Sequence, residues 1–230
     1  PLIQAPTTLL AQVDSAIGGK TGIDLAMGKN MVGAFYPPRA VVMDTDTLST
    51  LPPSRWAEGM AEVIKYGCIG DAKLFATIEN NAFSSEAGIP ICIDIKASIV
   101  GRDEYDTGER LHLNFGHTIG HAVEKATGFT KYTHGEAVAM GMVAAVRIGE
   151  ARGITAPGIV QRLTGALGTW DLPVELPIPA QEVLPALSAD KKQLGDEIHF
   201  VFLKDIGQPH IYPISLQELS RIVEEVCYHG

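Results

Sequence analysis

The sequence predicts a mainly α-helical protein that opens with a short segment of strands and glycine turns. Two observations predict it. From about residue 51 onward apolar residues recur at helical spacing, whereas residues 1–50 alternate short apolar runs with glycine–lysine turns. A third observation gives the helical part its centre: between Arg110 and Glu136 a polar stripe rich in histidine runs through apolar sequence. The expected division is 1–50 and 51–230.

Within the first part, Leu2-Ile3-Gln4-Ala5 reads as a strand, and Ala40-Val41-Val42-Met43-Asp44 as a short buried one. Between them lie Gly18-Gly19-Lys20-Thr21-Gly22, then Gly28-Lys29-Asn30, then an apolar run from Met31 to Tyr36. Gly18-Gly19-Lys20-Thr21 is not a nucleoside-triphosphate loop, because that motif needs a glycine where Asp14 stands. Glycines do let backbone N–H groups approach a phosphate, and Lys20 and Lys29 would bring it positive charge. A tight turn with surface lysines is the plain alternative.

From Leu51-Pro52-Pro53-Ser54, a breaker with a cap, a helix follows over Arg55–Tyr66. Glu62 and Lys65 share one of its faces at i, i+3 among Ala61, Val63 and Ile64, either as a structural ion pair or as part of a site. Helices are expected at Ala72–Asn80 and at Ile89–Arg102, the second carrying Lys96. If the next segment is one helix, Arg110, Asn114, His117 and His121 fall at i, i+4, i+7 and i+11 and point the same way. Gly116 and Gly120 would cost that helix about 1 kcal/mol each, which argues for close approach of a ligand or a second backbone. The bland alternative is a solvated face that carries two histidines.

Ala137–Val146 is apolar on every side and predicts a central, buried helix with His134 at its mouth. Ala156–Leu176 is one further helix with its exit, and 178–189 holds another. Asp190-Lys191-Lys192 opens a loop into a hairpin with strands at Glu197–Leu203 and His210–Tyr212, Gly207 and Pro209 lying in the turn. An amphipathic helix closes the chain at Leu216–Cys227.

The 230 residues are 46% hydrophobic, enough for a sizeable core. A net charge of −9 speaks against nucleic acid or an anionic membrane surface as partner, and no apolar run has the length of a membrane span. Three dispersed cysteines, Cys68, Cys92 and Cys227, suggest neither a disulfide framework nor a structural zinc site, so a reducing, cytoplasmic setting is expected.

Glu62, His117 and His134 come from three separate helical segments. Two imidazoles and a carboxylate with one coordination place open form the ligand set of a catalytic zinc, although the spacing alone does not require it. The H-E-x-x-H pattern of metallopeptidases is absent. Lys20, Lys29, Lys65, Lys96, Arg110, Lys191 and Lys192, with Asn30, Asn114 and His121, supply cations and amides unusual for so acidic a chain. They point to a substrate bearing phosphate or carboxylate.

Several stretches together resemble the 3-dehydroquinate synthase family of sugar phosphate cyclases in order and spacing. They are Pro6–Ser15, Gly18–Gly22, Gly28–Asn30, Ala61–Gly67, Asn114–Ala122 and His134–Ala137. The resemblance covers essentially the whole chain. It implies the helical C-terminal domain of that fold (51–230), preceded by a remnant of the N-terminal α/β nucleotide-binding domain (1–50). The family's earlier strands and glycine-rich dinucleotide turn would lie before Pro1.

By position, the resemblance makes Glu62, His117 and His134 the ligands of Zn²⁺, with Co²⁺ as a substitute. Thr7, Thr8, Asp14, Lys20 and Lys29 become contacts to NAD or to the substrate beside it, and Thr47, Leu48, Ser49 and Thr50 lie near the nucleotide. Asn30, Lys96, Arg110, Asn114, His121 and Lys191 or Lys192 would hold the substrate, a small phosphorylated sugar acid. Lys65, His121, Lys20, Asn114 and Arg110 would act at the reacting atoms. Tyr105 departs from the family, which commonly has arginine there, and the segment from Glu62 to His117 is shorter than usual. A homodimer is the expected assembly.

The family's reaction closes 3-deoxy-D-arabino-heptulosonate 7-phosphate to 3-dehydroquinate and phosphate, a step of the shikimate pathway toward aromatic amino acids. It uses NAD⁺ transiently, a metal as Lewis acid, and a basic cluster that fixes the phosphate. His121, one turn from His117, is the candidate for proton transfer or phosphate orientation. Three rivals remain: another sugar phosphate cyclase, a metal-dependent polyol dehydrogenase of the same architecture, and an inactive helical module.

Overall fold

Pro52 and Pro53 start the first long helix, α1 (Pro53–Gly70), where a missing N–H and a fixed φ cost nothing. In this computed structural model, which describes residues 1–25, 28–106, 108–176, 178–188 and 197–228, α1 is buried from Glu58 to Ile69. Asp71 then caps α2 (Ala72–Glu79), accepting from the N–H of Lys73 at 2.7 Å and of Leu74 at 3.1 Å. Ser84 caps α3 (Ser85–Arg102), which therefore begins before the expected Ile89 and takes Pro90 into its interior.

The segment read as one helix through Arg110, Asn114, His117 and His121 is two pieces. A 3₁₀ helix spans Glu109–Asn114, and α4 spans His117–Ala126. Between them Gly116 adopts φ +78°, a left-handed conformation open to glycine. Arg110 and Asn114 consequently do not share the helical face of the histidines. The glycines were needed for a second backbone: a Cβ on Gly141 would stand 1.9 Å from the carbonyl oxygen of Gly116, and one on Gly120 would stand 3.0 Å from that of Ala137.

That second backbone is α5 (His134–Ala151), the central helix expected from its apolar run. Thr133 and Glu136 close its first turn as a reciprocal capping box. It packs against α1, α4, α6 (Ile159–Gly168) and the final helix, and against the first strand of the C-terminal hairpin. α6 lies within the segment Ala156–Leu176 read as a helix and its exit, and Gly158, left-handed at φ +92°, sets its start. α7 (Ala180–Ser188) and α8 (Leu216–Tyr228) match the expected helices, and α8 rests on α5 and α7.

Among the described residues, three two-stranded sheets flank the helices. β1 (Ile3–Gln4) pairs in parallel with β4 (Ala40–Val41), and β2 (Lys20–Leu25) pairs antiparallel with β3 (Gly28–Phe35). The apolar run from Met31 is thus hairpin strand, and β4 is not buried: Ala40 is exposed, Val41 only half-buried and Val42 beside them 59% exposed, as a sheet of two strands with no covering layer among the described residues allows. The second hairpin joins β5 (Glu197–Asp205) to β6 (Gln208–Ser215). Its turn uses Gly207 at φ +80°, while Pro209 lies in β6 opposite Leu203 instead of in the turn. Among the described residues the three cysteines are free, and no helix is long and apolar enough to cross a membrane.

Candidate active site

A close backbone approach between α5 and α1 sets up the site. A Cβ on Gly135 would stand 2.4 Å from the carbonyl oxygen of Glu58, so the first turn of α5 lies against α1 one turn before Glu62. With α4 docked on α5, this brings Glu62, His117 and His134 together. Glu62 Oε1 lies 3.5 Å from Nε2 of His117 and 3.5 Å from Nε2 of His134, and the two rings are 5.3 Å apart at their centres. Two ligands at about 2.0–2.1 Å from a tetrahedral zinc stand roughly 3.4 Å apart, so the spacing fits a cation between them.

The hydrogen bonding favours the same fit. Both carboxylate oxygens of Glu62 are buried; Oε2 faces the ammonium of Lys65, and Oε1 has no closer partner than the two imidazole Nε2 atoms at 3.5 Å. A buried carboxylate oxygen with no donor at close hydrogen-bond distance calls for an explanation, and a metal ion supplies one. The Nδ1 of His117 sits 3.1 Å from the carbonyl oxygen of Phe115, and that of His134 lies 3.4 Å from Glu124, which leaves both Nε2 atoms facing Glu62.

Charge in this cluster is unevenly placed. Burial opposes ionisation of Glu62, but Lys65 and the two imidazoles outweigh it and hold the carboxyl well below its usual range. Burial, aided by the charge of Lys65, pulls His117 down to about 3. For His134 burial acts the same way, yet its bonds to Glu124 and Glu62 prevail and lift it to about 10. These shifts favour an imidazolium at His134 and a neutral imidazole at His117 in the metal-free protein, so a cation bound there would displace one proton from His134. Zinc affinity is expected to rise about tenfold per pH unit between pH 7 and 9, with about one proton released per ion. Calorimetry in buffers of different ionisation enthalpy measures the release, and an affinity flat over that range would contradict it.

Asp14 is the second focus. From the π-helical turn Ala11–Ser15 its Oδ1 accepts from the Tyr66 hydroxyl at 2.5 Å and pairs with Lys96 at 2.9 Å, with Lys65 at 3.8 Å. Lys96 also donates to the Asp14 carbonyl oxygen at 2.6 Å. Burial alone would raise the Asp14 carboxyl, but Lys96 and Lys65 bring it below its usual value. The Lys65 ammonium resists its burial through Glu62 and Asp14 and is raised, whereas burial dominates at Lys96 and lowers it. Two buried lysines thus stand beside the Glu62–His117–His134 cluster.

The remaining sequence candidates are spread more widely. His121 is exposed, one turn along α4, its ring 5.4 Å from that of His117 and 6.1 Å from that of His134. Arg110 is buried and spends its guanidinium on the carbonyl oxygens of Glu104 (2.6 Å) and Gly18 (2.9 Å), tying the glycine turn to the 3₁₀ helix. Asn114 is half-buried at the end of that helix, and Lys20 is exposed and paired with Asp106. Thr7 is exposed, and Thr8 caps the turn by accepting from the N–H of Ala11 at 3.2 Å.

Thr47, Leu48, Ser49 and Thr50 lie on a 3₁₀ helix, Thr45–Thr50, in which Leu48 faces the core at 2% exposure. Thr47 donates to the carbonyl oxygen of Asp44, and Ser49 to that of Asp46. Lys29 and Asn30 fall in β3, their side chains outside the description, and Lys191 and Lys192 lie outside the described residues. The sequence did not single out Tyr66, Gln12 or Glu124. Gln12, fully buried, ties Pro6, Asp44 and Thr47 together through its Nε2. Glu124 stands seven residues after His117, a helical spacing that would have revealed it.

A helical domain with such a triad beside buried cations places the protein, by fold, among the sugar phosphate cyclases. The structure matches a crystal structure of 2-deoxy-scyllo-inosose synthase complexed with carbaglucose-6-phosphate, NAD⁺ and Co²⁺ at TM-score 0.84 and 30% identity, over 98% of this chain and 67% of that one. A 2-epi-5-epi-valiolone synthase from Streptomyces hygroscopicus subsp. jinggangensis 5008, with NAD⁺ and Zn²⁺ bound, matches in fold at TM-score 0.86 and 23% identity, over 100% of this chain and 67% of that one.

Within that class the chain belongs to the 3-dehydroquinate synthase family. The family's C-terminal model matches residues 59–193 and its N-terminal model residues 1–58. The 3-dehydroquinate synthase of Geobacter metallireducens is 47% identical over 100% of this chain and 66% of its own length. That of Clostridium botulinum is 43% identical over 94% of this chain and 63% of its own length. The chain thus spans just under two-thirds of the relatives it matches.

Proposed function

We propose that the chain acts as a 3-dehydroquinate synthase, converting 3-deoxy-D-arabino-heptulosonate 7-phosphate to 3-dehydroquinate and phosphate. The observation that carries this reading is the convergence of Glu62, His117 and His134, with two buried lysines alongside. Identity of 43–47% to enzymes named for that reaction, against 30% to the inosose synthase, favours it over another cyclase. Glu62, His117 and His134 would hold zinc, and Thr7, Thr8, Asp14, Lys20, Lys29 and 47–50 would line a nucleotide site in the 1–50 segment. With zinc and NAD⁺ bound, the site would have a Lewis acid at a substrate hydroxyl and a hydride acceptor that is returned to its starting state.

The chain's own groups do the rest. Lys65 is held charged by Glu62 and Asp14 in a dry setting and Lys96 pairs with Asp14 beside it, so an incoming phosphate or carboxylate meets basic groups whose desolvation has already been met by the fold. Asp14 keeps both in place until the substrate's own charge engages them. Arg110 fixes the Gly18 turn toward the same side, and Asn114, Asn30 and Lys191 or Lys192 complete the substrate contacts. His121, outside the triad and more exposed, would move the proton at the reacting oxygens.

Replacing His121 with alanine is expected to leave zinc bound and lower turnover by roughly 10²–10⁴-fold, the usual contribution of a general acid or base. Zinc content and phosphate release, read on one preparation, check this. Incubation with the heptulosonate phosphate tests the function itself: dehydroquinate and one equivalent of phosphate are expected. Free NADH accumulating with simple polyols would favour a dehydrogenase instead. The homodimer belongs to the same proposal, and light scattering tests it.

A further inference from the structure

We propose that Glu124 is the positioning residue of the metal centre, fixing the ring of His134 through Nδ1 so that Nε2 is presented to the cation; this rests on the metal reading above. The triad's two imidazoles are oriented by different means. His117 opens α4, and its Nδ1 faces the carbonyl oxygen of Phe115 at 3.1 Å, a contact that the left-handed turn at Gly116 builds into the backbone. His134 opens α5, where the capping box takes up Thr133 and Glu136 and leaves the ring to find its partner elsewhere. That partner comes from α4: Glu124, 2% exposed, sets Oε2 3.4 Å from His134 Nδ1, on the side of the ring away from Glu62.

A carboxylate so deeply buried is rare without a specific partner. A carboxylate behind a ligating imidazole fixes which nitrogen keeps its hydrogen and makes the other a stronger donor to a metal. α4 therefore supplies one ligand directly and steers another across the helix interface. The docking of α4 on α5, which glycines 116, 120 and 141 permit, sets the geometry of both. His121, Glu124 and His134 also lie close enough to hold an ion of their own. Such an ion would take the Nδ1 of His134 away from Glu124's orienting role, so the two arrangements exclude one another and differ in stoichiometry.

The test compares the unaltered chain with Glu124→Ala, Glu124→Gln and His134→Ala, reading zinc affinity by competition with a chromophoric chelator and zinc per chain by mass spectrometry. Melting of the metal-free proteins controls for folding. Glu124→Ala is expected to weaken zinc binding by roughly 10–100-fold. Glu124→Gln, whose amide oxygen still accepts from Nδ1–H, is expected to restore most of it, at one zinc per chain. Zinc held by Glu124→Ala as tightly as by the unaltered chain, with His134→Ala losing it, overturns the role of Glu124 and leaves the centre standing. Failure of glutamine to recover any affinity overturns it as well. Two zinc ions per chain overturn it by making Glu124 a ligand, and an unaltered chain that binds none overturns both readings.

Discussion

His117→Ala or His134→Ala is expected to strip the protein of zinc and of turnover together. Each histidine points Nε2 at the same oxygen of Glu62 from a different helix, and with either gone only two protein ligands remain. A structural zinc needs four ligands and a catalytic one three. The loss should therefore exceed the roughly 10–100-fold expected when only a supporting partner is removed. Zinc measured after desalting checks it, and stoichiometric metal in either variant would break the ligand assignment.

The second large effect belongs to Lys65. Its ammonium and the Glu62 carboxylate are buried to 2% and 1% side-chain exposure, so the interaction has almost no solvent screening to discount. Removing one partner of a buried pair leaves the other charge uncompensated, typically at a cost of about 3–5 kcal/mol. Lys65→Met is expected near the lower end in the metal-free protein, because the proton on His134 still faces Glu62. Zinc should then stabilise the variant more than it stabilises the unaltered chain, since the cation takes over the missing positive charge. Urea unfolding with and without zinc measures both, and equal stability in the metal-free state would mean that Glu62 is not ionised there.

How much of this could be read beforehand depended on the range of the interaction. α5 was legible because a run of apolar residues from Ala137 is a local signal, whereas the Thr133–Glu136 cap, equally local, was passed over. Glu62 and Lys65 declared themselves by helical spacing inside apolar sequence. The stripe through Arg110 and Asn114 was misjudged because spacing presumes a continuous helix. Gly116, counted as a costly helix residue, is the left-handed break itself. Val41 and its neighbours looked buried because they are apolar, but burial needs a covering layer that one strand cannot announce.

Tyr66 went unnoticed for another reason. Its hydroxyl serves Asp14, 52 residues earlier, and no periodicity connects the two. The triad as a ligand set became legible by resemblance, whereas its spacing alone was indifferent. Glu124 lies between these cases, its place on the face of His117 readable and its partner on α5 not.

The central claim is that one cation sits among an acid on α1 and imidazoles on α4 and α5. Anomalous scattering at the zinc edge from crystals grown with zinc tests it most directly. A single strong peak about 2.0–2.2 Å from Glu62 Oε1 and from Nε2 of His117 and His134 is expected. A peak elsewhere, or none among these three side chains, would contradict the account.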